Sequence, residues 1–372
     1  MSVKITKGKT YPIGVDLGTH TLKMAQLRMV DGELELMAAG LTDVPESARR
    51  NPTERSRFIL ETIRQLLHAH PFKGRQCVLS LPAEATFVQH IKMAKMPQDQ
   101  FINALQWELQ GKLAYDPSRA IIRHVVAGEI YADDEVKEEI IVLAASRDTV
   151  EAHIDLVKRA KLDCMSINVE PCAIIECFAR MFRRAEDADH ATLFVDIGGT
   201  STQVVISHGA HMAFAKNLFI GASQFDRALA EGMHVTLDEA HQKRCRLQAE
   251  DASPAEAEAI YPLLSQPLGT LAEELTNCLR YYESVFHNRP VERAVFLGGQ
   301  AHDKRLCQNL AQRLSLPAQI GDPLARIKRV DGSGLDIGID RRNIQPDWAV
   351  AIGLSLGSAL EPEKSDKAVD AA

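Results

Sequence analysis

The first forty residues alternate between apolar runs and turns, a pattern that predicts three short β-strands. The runs are "YPIGVDLG", "TLKMAQLRMV" and "GELELMAAGL", and one of the turns between them contains Asp31-Gly32. Residues 54–70 then place apolar side chains at helical spacing, and Pro71 is expected to end that helix. The run "CVLSLP" predicts a fourth strand. We therefore predict a strand meander followed by a helix and a strand.

The second half of the chain repeats this opening pattern. "VDLGTHTLKM" at 15–24 and "VDIGGTSTQV" at 195–204 align without a gap, and each lies in a run of three predicted strands. Residues 223–290 are predicted to be mostly helical. The segment "VERAVFLGG" predicts a strand that ends in a Gly-Gly turn, and "PDWAVAIGLSLGSAL" predicts an apolar helix. The pattern indicates a duplicated α/β protein rather than a solenoid of short repeats.

Residues 84–159 interrupt the first copy and predict a smaller β-α-β-β-α subdomain of their own. In its first helix, Leu105, Leu109 and Leu113 form a stripe with Trp107, and the simplest prediction is that this stripe packs in the core. Part of the stripe could instead line a groove for a partner. The predicted boundaries are 1–83 with 160–189 for the first domain, 84–159 for the inserted subdomain, 190–222 with 291–360 for the second domain, 223–290 for a helical subdomain, and 361–372 for a disordered tail.

Composition narrows the classes of function. The 372 residues are 45% hydrophobic and 25% charged, which is typical of a soluble protein with more than one domain. The net charge of −7 argues against nucleic acid as a partner and against direct electrostatic binding to a membrane. No apolar segment is long enough to predict a membrane helix, and the 7 scattered cysteines favour a reducing, cytoplasmic setting.

The two Asp-x-Gly turns are candidates for an anion site. Glycine after aspartate at a strand end lets a ligand approach the main chain, whose N–H groups can bind phosphate oxygens. Asp16 and Asp196 would themselves repel phosphate, so a Mg²⁺ held between them through water is the sensible arrangement. Two such turns facing each other would hold a polyphosphate from both sides. Further donors to phosphate would be the hydroxyls of Thr19, Thr21, Thr200, Ser201 and Thr202 and the ammonium of Lys23.

These motifs resemble those of the actin/Hsp70/sugar-kinase superfamily. The resemblance implies duplicated actin/Hsp70-like (ribonuclease H-like) domains about a cleft that binds ATP with Mg²⁺. It also implies that Glu170 in "NVEPCAII" orients an attacking water, although the helix dipole explains an acid at that helix start equally well. The matching residues are Asp16-x-Gly18 with Lys23 for the first phosphate loop, Asp196-x-Gly198-Gly199-Thr200 for the second, and Gly298-Gly299 for the adenosine motif.

Within the superfamily, the place of the inserted subdomain is similar to that in FtsA and in the type IV pilus assembly protein PilM. Three segments resemble PilM, and the similarity spans about 11–360; they are "LPAEATFVQHIKMAKMP", "ALQWELQGKLAYDPSRAIIRHVV" and "ELTNCLRYYESVF". Membership of the PilM family implies a cytoplasmic ATP-binding component of a type IV pilus or related secretion system. It implies nucleotide-dependent binding of the N-terminal tail of a PilN-like inner-membrane protein in a groove by the inserted subdomain. Other pilus inner-membrane proteins would be further partners, the membrane would be contacted only indirectly, and self-association stays open.

One helix departs from the superfamily pattern. Where Glu and Lys usually lie near the adenosine, the segment "EAHQKR" has His241 and Arg244. This departure predicts a weaker contact with the ribose, unless Lys243 or Glu239 substitutes for the expected residues.

Two alternatives therefore stay open. A scaffold of the same machine that has lost its nucleotide would explain His241, and a sugar-type kinase is less favoured because no acidic base for a sugar is found. In the favoured interpretation hydrolysis is at most slow. Elsewhere, His208 and His211 have metal-like spacing, but they flank Gly209 in a predicted hairpin, which favours a solvated turn.

Overall fold

The computed structural model describes residues 8–357 apart from four short gaps. The residues outside the description are 1–7, 133–134, 183, 329–338, 340–342 and 358–372. The predicted tail, 361–372, therefore lies outside the described residues. Within the part of the chain that is described, no helix combines the length and the apolar character needed to cross a membrane.

The first sheet has five strands, and two helices connect its third strand to its fourth. The strands are β1 (Lys9–Asp16), β2 (Thr21–Val30), β3 (Glu33–Asp43), β4 (Gln76–Leu81) and β8 (Asp163–Val169), in the order β3-β2-β1-β4-β8. The first three strands pair antiparallel, as the meander predicted, while β4 lies parallel to β1 and β8. The helices are α1 (Glu46–Arg50) and α2 (Pro52–Ala69). Helix α2 begins here because the Asn51 side chain accepts hydrogen bonds from two of its first backbone N–H groups.

The second sheet repeats this arrangement. Its strands are β9 (Ala191–Ile197), β10 (Thr202–His208), β11 (His211–Leu218), β12 (Val291–Leu297) and β13 (Ala318–Ile320), in the order β11-β10-β9-β12-β13. Again the first three strands are antiparallel and the last two are parallel to the central one. The two halves thus share strand order and strand direction, which confirms the duplicated α/β fold.

A third sheet forms most of the inserted subdomain. It consists of β5 (Phe87–Ala94), β6 (Ala120–Ala132) and β7 (Glu135–Ser146), in the antiparallel order β5-β7-β6, with helix α3 (Gln98–Glu108) on one face. Phe101, Leu105 and Leu109 pack against that face, but Trp107, which we expected in the core, is 71% exposed. The opposite face, with Ile141 and Leu143, packs against the body of the protein.

Helix α4 (Arg147–Arg159) differs from our expectation that it belongs to the inserted subdomain. Its buried Val157 shares a core with Ile63 and Leu66 of α2, on the first sheet. The physical reason is that β4 and β8 are parallel neighbours, and a parallel connection needs a crossover, usually a helix. Helix α4 supplies that crossover, and its Val150 also packs against Ala145 of β7.

The second half carries a helical segment between β11 and β12. Its helices are α6 (Ala222–Met233), α7 (Leu237–Gln248), α8 (Pro254–Ile260) and α9 (Ser265–Val285), and α10 (Lys304–Leu314) follows β12. Their apolar faces share one core with the second sheet, in which Phe225, Leu271 and Tyr282 are fully buried.

Two helices cross at the centre of the molecule, α5 (Glu170–Ala179) and α11 (Ala349–Leu356). Gly353 faces Ala173 so closely that a Cβ at Gly353 would collide with the carbonyl oxygen of Ala173. Glycine at this position therefore permits the close crossing. Because Glu170 is the first residue of α5, the crossing also fixes where its carboxyl group lies.

Candidate functional site

A cleft of about 610 Å³ lies between the two sheets, where β1 and β9 end. The turns after these strands form opposite walls, and α5 and the segment before α11 lie at its base. The predicted site residues that line it are Asp16, Gly18, Thr19, Thr21, Lys23, Glu170, Asp196, Gly198, Gly199, Ser201, Gly298 and Gly299. The structure therefore brings the two Asp-x-Gly turns together, although they lie far apart in the chain.

The two turns are in contact with each other. Thr200 donates a hydrogen bond to Glu84 at 2.5 Å and lies 3.4 Å from the hydroxyl of Thr19. Thr200 is thus a contact between the halves rather than part of the cleft wall. Arg55 of α2 donates to the carbonyl oxygens of Leu17 and Gly18 at 2.8 and 3.0 Å, which fixes the first turn.

Gly298 is required by the backbone at the end of β12. Its φ is +82°, in the region that favours glycine, and a Cβ there would collide with Asp196. Its N–H donates to the carbonyl oxygen of Pro346 at 3.1 Å. Gly298-Gly299, the predicted adenosine motif, is thereby held by the segment before α11 and lies close to Asp196.

Lys23 is buried among carboxylates. It lies opposite Asp16 in the β1–β2 pair, and its ammonium group is 3.3 Å from Asp347. Burial alone would lower the pKa of Lys23, but Asp347, Asp16 and Asp196 raise it above its ordinary value. At the matching place in the second hairpin, Gln203 lies opposite Asp196, so only the first hairpin supplies a cation.

The acids of the cleft repel one another. Burial raises the pKa of Asp196 to about 7, and Asp16 adds to the rise while Lys23 opposes it. Burial likewise raises the pKa of Asp16, and it raises the pKa of Glu170 well above its ordinary value, with Asp16 and Asp196 contributing. Asp347 behaves differently: although burial opposes its ionisation, Lys23 and His302 hold the pKa of Asp347 below its usual range. A bound divalent cation would reduce the repulsion among these carboxylates.

This geometry can be compared with known proteins. A family model described as "Type IV pilus assembly protein PilM" matches residues 14–359. The chain belongs to the type IV pilus assembly protein PilM family. A solved structure described as "PilM-PilN type IV pilus biogenesis complex" is similar, with a TM-score of 0.75 and 21% identity over 93% of this chain and 98% of that chain.

More distant structures share the fold of this PilM family member. The ethanolamine utilization protein EutJ from Carboxydothermus hydrogenoformans gives a TM-score of 0.52 at 13% identity, covering 93% of this chain and 89% of that chain. MreB5 of Spiroplasma citri bound to ADP gives a TM-score of 0.50 at 9% identity, covering 93% of this chain and 94% of that chain. The fold of the PilM family member is therefore the actin-like fold expected from its sequence.

The two predicted binding residues on α7 of the PilM family member do not line the cleft. Arg244 is 3% exposed and donates to Asp226 at 2.7 Å and to the Ala222 carbonyl oxygen at 3.0 Å. Lys243 forms an ion pair with Glu256 at 3.5 Å. For Lys243 the reason is the helical rotation of about 100° per residue, which turns it to the opposite side of α7 from the cleft-facing His241. Glu239 does not substitute either, because it caps its own helix with Thr236.

Other cleft residues were not identified from the sequence. Asp347, Glu84 and His302 line the cleft, as does His20, whose ring lies against α6 and α7. Asp347 precedes α11, and an acid before a helix was the only sequence signal for it. His208, expected in a solvated turn, is instead buried and bonded to Tyr282 at 2.6 Å, because the turn consists only of Gly209 and Ala210.

Proposed function

We propose that this PilM family member binds ATP with Mg²⁺ in its cleft and binds the N-terminal tail of a PilN-like inner-membrane protein in a nucleotide-dependent way. The observation that carries the proposal is the pair of Asp-x-Gly turns facing each other above Asp16, Asp196 and Glu170. The protein would act in the cytoplasm, within the inner-membrane assembly of a type IV pilus or related secretion system.

The residues fit a magnesium ion. Asp16 and Asp196 offer only oxygen ligands, and together with Asp347 they act on the ammonium group of Lys23. Bound magnesium would neutralise charge on the polyphosphate. The backbone N–H groups near Gly18 and Gly198 would donate to phosphate oxygens from the two walls.

The remaining cleft residues would position the nucleotide and the water. The hydroxyls of Thr19, Thr21 and Ser201 would add donors to the phosphates, and the backbone at Gly298-Gly299 would lie along the sugar. Glu170 would hold a water by accepting its hydrogen bond, and any hydrolysis would be slow.

The partner surface is proposed on the inserted subdomain. Trp107 and Ile102 of α3 are 71% and 51% exposed, and the paired Tyr131 and Val136 at the end of the β6–β7 hairpin are 73% and 58% exposed. Because side chains alternate along β7, Val136 lies on the α3 side of the sheet. Exposed aromatic and aliphatic side chains are typical anchors for a short peptide. The similar structure described as a PilM-PilN complex favours a PilN-like tail as the occupant.

A buried polar network would couple this surface to the cleft. Glu139 of β7 is fully buried and accepts from His90 at 2.8 Å and from Tyr281 of α9 at 2.7 Å. His90 in turn accepts from the N–H of Ala215 in β11 at 3.2 Å. The inserted subdomain thus contacts the second half through these hydrogen bonds. Movement of one half against the other would therefore shift the partner surface.

Titration with a fluorescent ATP analogue tests nucleotide binding. We expect binding that requires Mg²⁺ and that weakens at least about tenfold in Asp16→Asn, because the ion loses a carboxylate. Asp155→Asn, an exposed acid on α4, should bind as the wild type does. If the wild type and both variants fail to bind the analogue with Mg²⁺ present, the protein is a scaffold that has lost its nucleotide. Rapid phosphorylation of a sugar would instead identify a sugar-type kinase.

The partner assay uses a peptide of the N-terminal tail of the PilN-like protein from the same genome. We expect Trp107→Ala and Tyr131→Ser to weaken peptide binding. Phe219→Ser, which alters a 59% exposed side chain outside the inserted subdomain, should leave it unchanged. Equal binding by all three variants would refute the proposed surface.

A further inference from the structure

A second group of ligand-type side chains includes His20 and His241, which both line the cleft. One nitrogen each of His20 and His241 and one oxygen of Asp226 all lie within 4.8 Å of one another. His20 follows β1 in the first half, whereas Asp226 and His241 belong to α6 and α7 in the second half. The cluster therefore joins the two halves across the cleft.

We propose that His20, Asp226 and His241 bind a zinc ion that links the two halves. The Nδ1 of His241 is 3.1 Å from Oδ2 of Asp226. Two ligands at about 2.0–2.1 Å from a tetrahedral zinc are separated by roughly 3.3 Å, so this pair already has the required spacing. The ring of His20 lies edge-on to that of His241, with 5.7 Å between centroids, and one of its nitrogens lies within 4.8 Å of the other two ligand atoms.

Neighbouring groups hold these ligands in place. Arg244 donates to Oδ1 of Asp226 at 2.7 Å, which leaves Oδ2 directed at His241. Arg244 is itself fixed by the carbonyl oxygen of Ala222 at 3.0 Å. Ser223 lies 3.2 Å from Nε2 of His20. Hydrogen bonds of this kind orient metal ligands and raise their affinity.

The ligand chemistry separates this site from the magnesium site. Two imidazoles and one carboxylate suit zinc and related transition cations, whereas magnesium prefers oxygen ligands alone. An ordinary ion pair joins Asp226 to His241 within the second half alone, whereas zinc would add His20 and so link that pair to the first half. Zinc binding here depends only on these side chains and requires no nucleotide.

Calorimetric titration with ZnCl₂ tests the proposal, using full-length protein without a histidine tag in nucleotide-free buffer. We expect one zinc ion per chain, and a rise in the midpoint of thermal unfolding on zinc addition. His20→Ala and His241→Gln should each weaken binding by more than the roughly 10–100-fold typical of losing an outer-shell partner. His211→Gln, which removes an exposed histidine elsewhere, should bind zinc as the wild type does.

Cobalt spectroscopy distinguishes the site from binding by cysteine. Cys245 lies one turn after His241, with its sulfur 3.5 Å from Nε2 of that ring. We expect Co²⁺ to give tetrahedral visible bands without thiolate charge transfer, unchanged in Cys245→Ser. The proposal is overturned if both histidine variants retain zinc binding, or if the bands vanish in Cys245→Ser. Neither outcome bears on ATP binding, because no nucleotide is present.

Discussion

Removing the ammonium group of Lys23 should destabilise the protein strongly. Lys23 is 6% exposed and faces Asp16, Asp196 and Asp347. In Lys23→Met these carboxylates lose their shared cation, and breaking a buried pair from one side costs about 3–5 kcal/mol. Asp347→Asn should cost less, about 1–3 kcal/mol, because Lys23 keeps Asp16 as a partner. The two effects should not add, since the double variant removes both members of the 3.3 Å pair.

Urea unfolding followed by circular dichroism measures the two single variants and the double variant. The matched control is Lys95→Met, which removes a lysine whose ion pair with Glu129 is exposed on the surface at 2.9 Å. That variant should change the free energy of unfolding by about 0–1 kcal/mol. The reasoning is refuted if Lys23→Met costs no more than Lys95→Met, or if Asp347→Asn costs more than Lys23→Met.

Two further predictions concern stability. Gly353→Ala should lower the free energy of unfolding in urea by about 3 kcal/mol or more, because the new methyl group meets the backbone at Ala173. The control is Gly269→Ala on α9, where no atom lies closer than 3.9 Å to the new methyl group, and it should be neutral or stabilising. Burial beside Arg289 lowers the pKa of His208 from 6.5 to about 4, so the unfolded state binds more protons between these values and stability should fall by up to about 3 kcal/mol as pH drops from 7 to 4. In His208→Asn this part of the pH dependence should disappear, and an unchanged slope would contradict the assignment.

The duplicated halves were predictable because their signal is local. Each hairpin is formed by residues that are consecutive in the sequence. Alternating apolar positions with glycine turns therefore suffice to place Asp16 and Asp196 at equivalent strand ends. The apolar helix α11 was likewise predictable from its run of apolar residues.

The partners of these residues were not predictable, because they depend on tertiary contacts. Asp347 reaches Lys23 from the other end of the chain, and no spacing rule relates the two. For α7 the sequence motif gave the correct helix but not which side faces the cleft. Arg244 stands where the superfamily pattern has lysine, and its guanidinium group is used internally with Asp226.

The contacts between the halves suggest how the cleft and the partner surface are linked. One contact joins Thr19 to Thr200 at the turns, and another joins the inserted subdomain to the second half through Glu139 and Tyr281. Because the inserted subdomain is continuous with the first half, the halves cannot rotate about the α5–α11 crossing without disturbing both contacts. A ligand that separates the turns would therefore strain the buried carboxylate of Glu139, whose second oxygen has no hydrogen-bond partner among the described residues. Such strain would link the state of the cleft to α3 and the β6–β7 hairpin, as the proposed nucleotide-dependent binding requires.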